Sequence, residues 1–157
     1  MAYTQIHAVK ATVQKALKYI CNPEKTDGQI LIDSFACGIE TAQYDFMDAL
    51  SKSSGVGNKQ AFHLIQSFAP REVDFDTAHQ VGIELADKLL EYKYSYVIAT
   101  HIDKEHCHNH IIFCAVDNVE HKNIMTASVL IVILEICQMN FAENMDCRLL
   151  FRQGKKA

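Results

Sequence analysis

Three features are scarce in this sequence. No long apolar run exists: the longest, residues 127–134, falls far below the roughly 18 to 20 residues a membrane-spanning helix needs. The first 16 residues hold no continuous apolar stretch of the kind a secretory signal requires. Both absences argue against secretion and a transmembrane anchor, and leave the cytoplasm as the expected compartment. Paired cysteines are also missing. Cys21, Cys37, Cys107, Cys114, Cys137 and Cys147 include no C-x-x-C, which suits free thiols in a reducing compartment and argues against a zinc–cysteine structural site. The third scarcity is positive charge: 15 Lys and Arg face 19 Asp and Glu, a net −4, so no global basic field recruits nucleic acid and any DNA binding must come from a local site. What remains is 157 residues at 49% hydrophobic and 22% charged, the profile of one soluble globular domain able to build a core.

Periodicity divides the chain. Residues 4–22 read as a helix, because Val9, Val13, Ala16, Leu17 and Ile20 form one apolar stripe. Asn22-Pro23 ends it, and Tyr19 lies on the flank of the stripe. Residues 23–28 are turn-rich, and residues 29–37 alternate well enough for a strand. A second helix is expected over residues 40–52 with Ala42, Phe46, Ala49 and Leu50 inward, broken by the Ser/Gly-rich residues 53–58. Residues 62–68 read as a strand. Beyond Pro70, Asp74 or Asp76 is placed to cap a helix running to about Glu91, with Ala78, Val81, Leu85, Ala86 and Leu89 buried. Residues 94–101 and 108–116, joined by a short polar link, predict an antiparallel hairpin. Both alternating sets of the second run are apolar, so that strand should be central and covered on both faces.

The hairpin carries the chemistry. Four of the eight histidines fall within His101-Ile-Asp103-Lys-Glu-His106-Cys-His108-Asn109-His110. His108 and His110, two apart on a strand, leave the same face with Cα atoms about 6.5 to 7 Å apart. His101, ending the neighbouring strand, can reach the same point. Three neutral imidazoles leave coordination positions open, the pattern of a catalytic metal site. Asp103 is a candidate acceptor for an imidazole N–H, and His106 sits on the same side but inside the turn. The competing reading is a polar hairpin bearing surface histidines.

His101-Ile-Asp103, His106-Cys-His108-Asn-His110 and the following Ile-Ile-Phe resemble the metal motif of the relaxase/mobilization nucleases, the HUH endonucleases that nick DNA at origins of transfer. Ala16-Leu-Lys-Tyr19-Ile-Cys-Asn-Pro-Glu-Lys25 resembles the tyrosine motif of that family, and His63-Leu-Ile-Gln-Ser67-Phe-Ala-Pro-Arg-Glu72 its second motif. The resemblance covers residues 1–122. It implies that Tyr19 attacks a phosphodiester to give a 5′-phosphotyrosyl enzyme, with His101, His108 and His110 holding a divalent metal. It implies magnesium or manganese, although three imidazoles also suit zinc, iron or nickel. Its implied partners are single-stranded DNA at an origin of transfer and accessory relaxosome proteins. Without the resemblance Tyr19 reads as a packing tyrosine. Ser67 either contacts phosphate or satisfies local backbone, and His63 either supports the metal ligands or is an ordinary strand histidine.

Residues 123–157 depart from the family, which places a basic stretch and an amphipathic helix here. Back-translated with one permissible choice of codons, and read from the third nucleotide of the Asn123 codon, this region gives a segment beginning YNDSKRSYRN that resembles the missing one. The expectation is a catalytic domain over residues 1–122 followed by an out-of-frame tail, in which residues 127–136 are aggregation-prone unless buried. Residues 1–122 hold 11 basic against 16 acidic side chains, which predicts weak DNA binding. The expected fold is α+β, an antiparallel sheet covered by helices, whose central strands carry the metal site by resemblance. Two other functions fit the residues: a metal-dependent phosphohydrolase that uses bound water, and a DNA-binding fragment that does not cut.

Overall fold

The computed structural model describes residues 3–28, 30–53, 59–124 and 148–151. Nine elements follow in order: β1 (Tyr3–Val9), α1 (Val13–Ile20), β2 (Ile32–Phe35), α2 (Ala42–Ser51), β3 (Ala61–Ser67), α3 (Phe75–Leu90), β4 (Tyr96–His101), β5 (His108–Cys114) and β6 (Arg148–Phe151). The sheet order is β2-β4-β5-β3-β1-β6. The first five strands pair antiparallel, and β6 runs parallel to β1 at the edge. The fold is α+β, as the residue pattern predicts. Among the described residues, no helix is long and apolar enough to cross a membrane.

β5 is central because both of its faces are apolar. Ile111 and Phe113 enter one core with Leu85, Ala86, Leu89 and Leu90 of α3. Ile112 and Cys114 enter the other with Val13, Leu17 and Ile20 of α1 and Ala42, Phe46 and Ala49 of α2. The sheet is therefore sandwiched, with α1 and α2 on one side and α3 on the other. Asp74 caps α3 as expected, its carboxylate accepting from the Thr77 N–H at 2.7 Å.

The start of the chain differs from its sequence reading. Residues 4–9 are a strand paired with β3, and the helix begins only at Val13. Val9 still buries in the same core as Val13, Leu17 and Ile20. The stripe thus identified the buried residues correctly, but a strand end and a helix happen to line one core. The predicted strand over residues 29–37 contracts to Ile32–Phe35. Gln29, residues 54–58 of the expected helix break, and the apolar run 127–136 lie outside the described residues.

α3 lies close to the sheet at Gly82. A Cβ there would stand 2.6 Å from both Asn109 Nδ2 and Ile98 Cδ1, and both side chains are buried. Gly82→Ala should cost about 1–3 kcal/mol through overpacking, read as a lower denaturation midpoint. An unchanged midpoint would show that the helix can retreat freely.

Candidate functional site

Alternation along β5 sends His108 and His110 to the α1 side of the sheet, and the strand register adds further residues to that face. His101 lies directly opposite His108 on β4, Ser67 opposite His108 on β3, His63 opposite Ile112, and His7 opposite His63. Five histidines on four adjacent strands share one face. Ring centroids are 4.1 Å apart for His101 and His110, 5.1 Å for His63 and His110, 6.3 Å for His108 and His110, and 4.8 Å for His7 and His63. His106 stands edge-on to His108 at 4.3 Å. His108 is the outlier of the expected triad, and among the described residues no three metal-donor side chains close on one point.

Two hydrogen bonds orient the rings. His101 Nε2 lies 2.8 Å from the main-chain oxygen of Ile20. A carbonyl only accepts, so Nε2 carries the proton, and on a neutral ring Nδ1 keeps the lone pair. That oxygen belongs to the last turn of α1, whose carbonyls have no partner within the helix. His101 therefore ties the end of the tyrosine helix to the end of β4. His63 Nε2 and His110 Nδ1 are 2.9 Å apart, so His63 holds His110 rather than standing as an isolated strand histidine.

Tyr19 projects from the flank of α1 with 52% of its surface exposed. Its ring meets His101 edge-on at 5.6 Å and His110 at 6.0 Å. The Lys25 ammonium stands 5.4 Å from the centre of the Tyr19 ring and 2.8 Å from Asp103 Oδ2. The expected role of Asp103 needs correction here. Its hydrogen-bond partner is Lys25, not an imidazole, because the turn after α1 brings Lys25 over the hairpin mouth. The same turn is stitched down by the Ile102 N–H on the Lys25 oxygen and the Thr100 N–H on the Leu31 oxygen. The hydrogen bond to Lys25 holds Asp103 below the usual carboxylate range and pushes Lys25 upward.

Ser67 sits across from His108, and Tyr94 and Tyr96 pack near Phe113 in the opposite core. His7 and Lys25 went unrecognised as site residues in the sequence. His7 could have been found from the alternation Thr4, Ile6, Ala8, which marks a strand.

Burial sets the charge of the site. Desolvation, reinforced by neighbouring imidazoles, holds His63 and His110 far below the ordinary histidine range and brings His108 to about 4. Desolvation lowers His101 as well, against the opposing hydrogen bond to Ile20. The imidazoles are neutral at pH 7 and retain lone pairs for a cation or a proton. The unfolded chain binds protons on these groups first, so their contribution to stability is complete above about pH 6.5 and declines as pH falls below it. In metal-stripped protein the melting temperature should hold steady above pH 7 and drop between about pH 6.5 and 4. A His63→Gln/His110→Gln double variant should flatten that drop.

The structure is an α+β sandwich that presents histidines from central strands to a half-exposed tyrosine, and comparison with known proteins assigns that fold to a family. The relaxase family model described as the MobA/VirD2-like nuclease domain matches residues 19–139. Two proteins named rlx from Staphylococcus aureus are 36% identical over 81 residues (52% of this chain, 25% of the relative) and 29% identical over 117 residues (74% and 33%). The group II intron-interrupted relaxase LtrB of Lactococcus lactis is 40% identical over 68 residues (43% and 12%). The match to the family model covers more than half of the chain, which belongs to the relaxase family through its nuclease domain. It spans a third or less of the length of these relatives.

Proposed function

We propose that this chain nicks one DNA strand at an origin of transfer, for plasmid or transposon mobilization, using Tyr19 as nucleophile. The placement of the Tyr19 ring against His101 and His110, on a helix whose end His101 holds, carries the reading. In the step, a bond forms between Tyr19 Oη and phosphorus while the bond from phosphorus to the 3′-oxygen breaks. The phenol proton is lost and the departing oxygen ends as a 3′-OH, leaving a 5′-phosphotyrosyl link.

His101, His108 and His110 are the residues that would hold a divalent cation, magnesium or manganese by family likeness. The donor chemistry fits: the imidazoles are neutral, His101 keeps Nδ1 unprotonated, and His63 can fix His110 with Nε2 available. The bound ion would supply Lewis acidity at the scissile phosphate. Lys25, tethered by Asp103, adds positive charge beside the phenol where an oxyanion develops. Ser67 and His106 border the face on which the phosphate would lie.

Residues 1–122 form the catalytic unit of this proposal. In this reading residues 123–157 are a divergent tail, although the family match itself continues to residue 139, and the accessory proteins of a relaxosome would compensate for the acidic balance of the unit.

Incubation of the purified chain with a single-stranded origin-of-transfer oligonucleotide should give a denaturant-resistant covalent adduct. Chelation should abolish the adduct and Mg2+ or Mn2+ restore it, while Tyr19→Phe should reduce it to background. Undiminished adduct in Tyr19→Phe would reassign the nucleophile. A cleaved strand without any adduct would favour attack by water. Binding without either product would favour a non-cutting module.

A further inference from the structure

A set of polar side chains on the opposite side of the sheet takes no part in the proposed chemistry, yet two of its members interleave with the residues that do. Thr100 immediately precedes His101, and Asn109 stands between His108 and His110. Strand alternation turns both toward α3, back to back with the histidines. Both are fully buried. Asn109 Nδ2 donates to the Ala78 oxygen of α3 at 2.6 Å and to Gln66 Oε1 at 3.0 Å. The Ala78 carbonyl can only accept, which fixes the amide orientation and leaves Asn109 Oδ1 as an acceptor. Thr100 Oγ1 donates to that oxygen at 2.6 Å. Its single proton is thereby committed, so it must accept from His79 Nδ1, 2.7 Å away. His79 Nε2 in turn lies 2.6 Å from Asp33 Oδ2, an ion pair that needs a second proton on the ring when Asp33 is ionised.

We propose that this directed chain, from Asp33 through His79 and Thr100 to Asn109, is the positioning device that aims the histidine face. The inference rests on the metal-binding, strand-nicking reading above. Its logic is mechanical. A β-strand residue cannot rotate without turning its neighbours, so holding Thr100 and Asn109 against α3 holds the pitch of His101, His108 and His110 on the reverse side. Each proton in the chain has one destination, so each link orients the next. Gly82 is part of the arrangement, since only the absence of a Cβ lets α3 come within bonding reach of Asn109. Asp33, on β2 beside β4, ends the chain at the surface. Thr100 and Asn109 act here as positioning residues through the backbone they share with the histidines.

The test uses the full chain, metal-free, with wild type, Thr100→Val, Thr100→Ser and Asp33→Asn. Long-range 1H–15N spectra of the histidines should show His79 protonated on both nitrogens and His101 as the single Nε2–H tautomer in wild type. Thr100→Val, close in shape but without the hydroxyl, should replace the single His101 tautomer by an averaged signal and weaken calorimetric Mn2+ binding on the order of tenfold or more. Thr100→Ser should restore both. Asp33→Asn, at the exposed end of the chain, should move both in the same direction by less, and it stands in if Thr100→Val does not fold. The proposal is overturned if folded Thr100→Val keeps the wild-type tautomer and Mn2+ affinity, if valine and serine variants are equally impaired, or if His79 carries one proton. Should wild type bind no Mn2+ and form no adduct while the His101 tautomer still follows residue 100, the nicking reading fails and the positioning role stands. Nicking that is indifferent to Thr100 sinks the positioning role alone.

Discussion

The hydrogen bond from His101 to the Ile20 carbonyl joins the two halves of the site. One half is a short helix of 8 residues that carries Tyr19 on its flank. The other is the central hairpin that carries the histidines. A helix of that length has little stability of its own and is held by what it packs on. Its apolar face is buried against the sheet through Val13, Leu17 and Ile20, which fixes its distance but leaves sliding and rotation open. The imidazole at the end of β4 closes those freedoms by donating its Nε2–H to the carbonyl at the helix end. The turn that follows is bound at three more points, by Lys25 on Asp103 and by two main-chain bonds. Tyr19 is consequently held in position while half its surface stays exposed.

The same hairpin illustrates how a strand serves two sides at once. Residues 108 and 110 face the tyrosine helix, while residue 109 faces α3 and is saturated with hydrogen bonds. Buried polar groups in this number are tolerated because each finds a partner, and they specify one register where an apolar layer would permit slippage. The strand that carries the histidines is thus anchored from behind the sheet as well as from in front.

Much of this was legible in the sequence, and the limits have physical causes. The hairpin was readable because both alternating sets of residues 111–116 are apolar, which only a covered central strand explains. α3 was readable from its periodicity and its Asp74 cap. The histidine cluster was readable because two of its members are local neighbours. β1 was misread because Val9 continues a helical stripe by coincidence of geometry, and with it His7 was lost. The partner of Asp103 was not accessible either: Lys25 reaches it across a turn whose course depends on tertiary packing. The Asp33–His79–Thr100–Asn109 chain draws on β2, α3, β4 and β5, and no local spacing announces a set assembled from four elements.

The tie between His101 and α1 has a consequence for sequence drift. Its acceptor is a main-chain oxygen, which every amino acid supplies, so position 20 can change among apolar residues and the link survives. Position 101 has no such latitude, because its imidazole donates to the helix with one nitrogen and, under the proposed function, would offer the other to the cation. Neutral divergence should therefore accumulate on the helical partner of this bond and be barred on the strand partner, an asymmetry set by which side of the contact is backbone.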